Sequence, residues 1–72
     1  MDRQKAESLL RESMIRIGRK VKQERELRNW DVTELIIRSG VSQTVIWTLE
    51  AEVADNVTMK SLVGLSVAFE ID

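Results

Sequence analysis

Three features of the sequence predict an all-α fold. The 72 residues include no Pro and only three Gly, so few points can break a helix. Apolar residues recur at spacings of three and four in separate stretches, the period of a half-buried helix. Good N-capping residues, Asp31, Ser42 and Thr58, stand just ahead of three of those stretches. The expected architecture is a compact bundle of four to five helices forming one domain over residues 1–72, near the lower size at which a single core suffices.

The first helix is predicted over residues 3 to 28, where Arg, Lys, Glu, Gln, Leu and Ala abound and Asp2 can cap the start. Leu10, Met14, Ile17, Val21 and Leu27 mark its apolar stripe, and Ser13 and Gly18 are the places where it could bend. Arg28-Asn29-Trp30 links it to the next helix. A staple between Trp30 and Leu35 would set the entry angle, and Asp31 with Glu34 reads as a capping box. Gly40 stands where a helix end needs positive φ, and Val41 can pack beneath the turn. Ser42 caps the following helix, whose inward set is Val45, Ile46 and Leu49. Residues 31–50 therefore read as a helix-turn-helix. Residues 51 to 57 read as a fraying helix end and a loop. A last helix after Thr58 turns Leu62, Leu65, Ala68 and Phe69 inward. The predicted core is Ile17, Val21, Leu35, Val41, Ile46, Leu49, Leu62, Leu65 and Phe69.

Composition removes several function classes. Without Cys or His there is no disulfide, zinc finger, thiol or imidazole chemistry, and no cofactor is expected. No apolar run of ~18 residues and no signal-peptide pattern occurs, so a cytoplasmic protein without membrane contact is expected. Ser42, Glu50, Glu34 and Asp55 are the nearest approach to a catalytic set, and each reads better as a cap or a solvated carboxylate, so no enzyme and no small-molecule substrate is expected. The net charge of −1 conceals an asymmetry: residues 1 to 30 carry nine Lys or Arg against five acids, and residues 31 to 72 carry two against seven.

Ile17-Gly18, Val21, Arg25, Leu35, Ser39-Gly40-Val41-Ser42, Ile46, Leu49-Glu50, Asn56, Leu62, Ala68 and Phe69 form a set whose spacing resembles the Cro/repressor-type helix-turn-helix domain of phage and bacterial regulators. The resemblance covers about residues 16 to 71. It implies a lambda-repressor-like bundle in which the helix beginning near Gln43 would lie in the DNA major groove. Residues 1–16 extend beyond that pattern, while the chain stops where relatives usually continue into a fifth helix. Leu9, Leu10 and Met14 are therefore expected to cover core surface in place of that helix.

The family pattern asks for a polar amide at the first position of the second helix, where this chain has Val32. It asks for a basic residue just before the Glu50 position, where this chain has Thr48, and for a basic loop where this chain has Ala51-Glu52-Val53-Ala54-Asp55. No Lys or Arg occurs between Ser39 and Met59. Losing six or more phosphate contacts costs ~10³-fold or more in affinity at moderate salt. Trp47 is out of phase with the inward residues and should project outward as an interface anchor. Val32, Glu34, Gln43, Thr44, Trp47, Glu50, Glu52 and Asp55 thus form a candidate partner-binding face, acidic with an apolar centre. Such a face complements the basic DNA-binding domain of a repressor. The combination resembles the small modulator-of-repression proteins of temperate phages, antirepressors that keep the helix-turn-helix fold. The alternative is a Cro-like operator binder using Gln43, Thr44 and Thr48 toward the groove and Arg16, Arg19 and Lys22 toward phosphates. The chain is expected to be a monomer or to self-associate weakly.

Overall fold

The computed structural model describes residues 2–55 and 57–70. Asn56, which enters the resemblance, lies outside the described residues. The described residues form a compact all-helical globule of four helices, α1 (Arg3–Leu27), α2 (Val32–Ser39), α3 (Gln43–Glu50) and α4 (Met59–Phe69), with no strand among them. None of these helices is long and apolar enough to cross a membrane.

Each helix starts where a side-chain oxygen captures an orphan amide. Asp2 accepts from the Lys5 amide, Asp31 from Glu34, Ser42 from Val45 and Thr58 from Ser61. The capping box at Asp31 is half formed, because the Glu34 carboxylate turns away to Arg38 Nε at 2.7 Å. Gly40 ends α2 at φ 71°, in the left-handed region.

Two ends are built more firmly than residue type suggests. At α1, Trp30 N–H donates to the Arg25 carbonyl and Asn29 N–H to Glu26, with Asn29 at φ 56°. At α3, Val53 N–H donates to Thr48 and Glu52 N–H to Leu49, with Glu52 at φ 63°. Both are Schellman motifs, which satisfy the last carbonyls and reverse the chain in two residues. The amides of Ala51, Glu52 and Val53 after Glu50 are all hydrogen-bonded to α3 carbonyls. The motif closes there with Glu at the position that favours Gly.

The core cluster is Val21, Leu35, Val41, Ile46, Leu49, Leu65 and Phe69. Met14 is buried as well, whereas Ile17 packs at the edge and Leu62 is half-buried. Leu9 and Leu10 do not cover the core: both are exposed, as is every described residue ahead of Met14. The cause is geometric. α1 is a 25-residue helix, about 37 Å long at ~1.5 Å per residue, and the longest dimension of the whole molecule is 40 Å. α3 and, to a lesser extent, α4 pack against its second half, while α2 packs on α3 and α4, so the first half stands clear as an arm.

Gly18 is a contact point rather than a bend. A Cβ at this position would overlap the Leu49 carbonyl, so the α1 and α3 backbones touch there. A Cβ on Gly64 would likewise collide with the Ser39 carbonyl, so α4 closes on the end of α2 through a second side-chain-free position. Trp30 stacks on Phe69 with ring centroids 5.7 Å apart and packs at the edge of the cluster that holds Leu35. The Arg38 guanidinium lies over the Trp30 ring at 4.4 Å from its centre. Arg28 donates to the Phe69 carbonyl at 2.9 Å and pairs with Glu24, tying α1 to the end of α4.

Two outcomes follow from these contacts. Gly18→Ala should destabilise the fold by about 3 kcal/mol, since backbone, not a flexible side chain, must move aside; equilibrium urea unfolding would measure it. Hydrogen bonds from Arg28, then Lys20, hold the Glu24 carboxyl below its ordinary value of 4.5. A depressed folded value stabilises above the unfolded value and is lost as pH falls through the folded one. The melting temperature of wild type should therefore exceed that of Glu24→Gln at neutral pH, with the gap closing below about pH 4.5.

Candidate protein-docking face

α3 presents opposite faces to core and solvent because 3.6 residues make a turn. Ile46 and Leu49 are fully buried, with Val45 at the boundary. Gln43, Thr44 and Trp47, at spacings of three and four, share the outward face. The Trp47 side chain is exposed, with 57 % of the residue open to solvent. Val53 is exposed just beyond the Schellman turn, and Val32 is half-buried against the core cluster. The result is an apolar centre with amide and hydroxyl neighbours.

Three of the four acids expected around this centre are engaged by cations, two of them from α1 and one from α2. Glu50 turns inward: its carboxylate accepts Arg25 Nε at 2.9 Å and Arg25 Nη2 at 2.8 Å, and the two side chains are 11 % and 15 % exposed. It belongs to the scaffold and not to the outward face. The reason is position, since Glu50 follows buried Leu49 and faces the last turns of α1. Arg25 also donates to the Trp30 carbonyl at 2.8 Å, and the Glu50 bond raises its already high pKa. Glu52 meets Arg19 at 2.7 Å, and Glu34 meets Arg38 at 2.7 Å, both pairs partly in solvent. Asp55 is exposed and makes no ion pair among the described residues.

The residues assigned to DNA contact fall on two separate surfaces. Thr48 is half-buried and donates its hydroxyl to the Val45 carbonyl at 2.9 Å, within its own helix. Gln43 and Thr44 point outward on α3, whereas Arg16, Arg19 and Lys22 are exposed on α1. Arg19 and Lys22 line an open cleft of about 520 Å³ whose wall also holds Glu26, Glu50 and Glu52. A phosphate entering it would face three carboxylates along with two cations. Comparison of the chain with protein-family models, with curated proteins and with solved structures gave no match.

The structural role of Glu50 could not be read from residue type, because a carboxylate at a helix end usually faces water. Arg25 and Glu50 both stand in the spaced set of residues, but 25 positions separate them and the sequence does not pair them. Glu50→Ala should cost about 3 kcal/mol of stability by leaving the Arg25 guanidinium largely buried without its partner, whereas Asp55→Ala should leave the unfolding midpoint within error.

Proposed function

We propose that this protein is a small helix-turn-helix regulator of a phage-type genetic switch, with a lambda-repressor-like arrangement of α1 to α4. In this reading α2 and α3 form the helix-turn-helix, and the protein acts as an antirepressor in the cytoplasm of a bacterial host. It docks on the DNA-binding domain of a cognate repressor through the outward face of α3 and blocks access to DNA. The single observation that carries the proposal is Trp47, more than half exposed at the centre of a face without Lys or Arg from Ser39 to Met59. A large indole left in water is the usual anchor of a protein interface. Asp55 and the solvent-facing edges of Glu52 and Glu34 supply the negative rim that a basic repressor surface would meet. Gln43, Thr44 and Val32 complete the contact. No catalytic role and no cofactor belong to this reading.

A second reading, direct operator binding, is favoured by one observation: Arg16 and Lys22 are exposed and make no ion pair among the described residues. Two phosphate contacts would give a shallow salt dependence, with a slope near −2 in log–log form, against the steep dependence of a binder with six or more. The same protein preparation tests both readings. Titration against the repressor encoded beside this gene should show binding that Trp47→Ala weakens by about 2 kcal/mol or more, with the variant's melting curve checked for retained folding. Mobility shifts on DNA from the same neighbourhood should show no sequence-selective complex at physiological salt. A folded Trp47→Ala variant that binds the repressor as tightly as wild type refutes the docking face, and a tight selective DNA complex moves the function to the operator.

A further inference from the structure

The arm of α1 and the outer side of α4 are apolar surfaces without a partner in the chain. Leu9 and Leu10 stand on the arm, and Met59, Val63 and Val67 recur every four residues along α4, with exposures from 44 % at Leu9 to 74 % at Met59. Between them lies a groove of about 260 Å³ whose apolar walls are Ile17 and Val21 of α1 and Leu62, Leu65 and Phe69 of α4. Leu10 precedes Ile17 by seven residues, two helical turns, and so continues the α1 wall of the groove. Met59, one turn before Leu62 and Val63, continues the α4 wall, and Val63 stands at its outer edge, where it also lines the cleft beside Ser39, Gly40 and Val45. One surface therefore runs from the arm, across the groove, onto the outside of α4.

We propose that a second copy of this chain covers this surface, the arm of each protomer lying along the groove and α4 of the other in a closed two-fold pair. The arm cannot fill its own groove, because α1 is unbroken from Arg3 to Leu27 and holds Leu9 and Leu10 clear of the globule. Charge selects the occupant. Residues 2 to 12 carry three acids and three bases, α4 carries one charged residue, Lys60, and Lys20 at the wall of the groove is paired with Glu24. A surface so close to neutral attracts neither nucleic acid nor a strongly charged protein, and meets no net repulsion from its own copy. Area agrees: the five exposed side chains leave on the order of 500 Å², at the upper end of what a free monomer shows and over half of the ~800 Å² that each partner of a standard interface buries. An arm and a groove on one molecule that cannot meet within it form a self-complementary pair, and a two-fold axis closes it without open-ended growth. None of the residues named belongs to α3, so the proposal stands or falls apart from the role of Trp47.

Sedimentation equilibrium of the full chain from low micromolar to near-millimolar concentration tests it. Wild type is expected to pass from monomer to dimer. Leu10→Glu on the arm and Val63→Glu on α4 should each raise the dissociation constant about ten-fold or more, while Trp47→Ala leaves it unchanged. Both charged variants replace exposed side chains, and thermal melts at a concentration where all are monomeric show that the fold is retained. Hydrogen exchange adds a readout of mechanism: amides from Ala6 to Ser13 should gain protection as the dimer fraction rises. A wild-type chain that stays monomeric throughout, association that continues past the dimer, a dimer that either charged variant leaves untouched, or one lost in Trp47→Ala would each overturn the proposal.

Discussion

Arg25 is the side chain on which the placement of the other elements depends. Its planar fork gives two bonds to Glu50 and a third to the Trp30 carbonyl, so one guanidinium fixes the end of α3, the end of α1 and the entry to α2. With both partners largely buried, the fork must be satisfied completely, because an unpaired charge in that environment would cost several kcal/mol. The contact also needs the backbones close together. Gly18, two turns earlier on α1, supplies that by letting the helix meet the Leu49 carbonyl directly. The glycine sets the distance, and the arginine sets the rotation and the register.

That arrangement changes the meaning of the charge asymmetry along the chain. A basic first half and an acidic second half suggest two surfaces of opposite sign. In the fold the halves face each other, and Arg19 and Arg25 of α1 neutralise Glu52 and Glu50 at the end of α3. Much of the apparent dipole is thus internal. What remains outward on α3 is an apolar and hydrogen-bonding face with carboxylates at its edge, so shape and apolar burial outweigh charge in what it can recognise.

Local chemistry was legible in the sequence and long-range geometry was not. Asp31, Ser42 and Thr58 cap the helices they precede, and Gly40 takes the left-handed conformation its position demands, because each rests on contacts within four residues. The core follows for a similar reason: helical period alone sorts Leu35, Ile46, Leu49 and Leu65 from their neighbours. Leu9 and Leu10 show the limit, since the same period gives an apolar stripe whether or not anything lies opposite it. Glu50 shows it again, because only the approach of α1 turns that carboxylate inward. Asn29 and Glu52 take positive φ without glycine, held there by paired amide bonds that residue type does not announce.

The two tryptophans make the sharpest contrast within the chain. Trp30 is partly buried, stacked on Phe69, with the guanidinium of Arg38 4.4 Å and that of Arg28 5.4 Å from its ring centre. The fold can therefore cover much of an indole with a ring and two cations. Trp47 receives neither: among the described residues no aromatic or cationic side chain stacks on it, and its neighbours on the same face are the short polar chains of Gln43 and Thr44. The exposure of Trp47 in a fold that stacks Trp30 on Phe69 is what the docking proposal rests on, and burial of that ring would contribute a binding energy that salt does not screen.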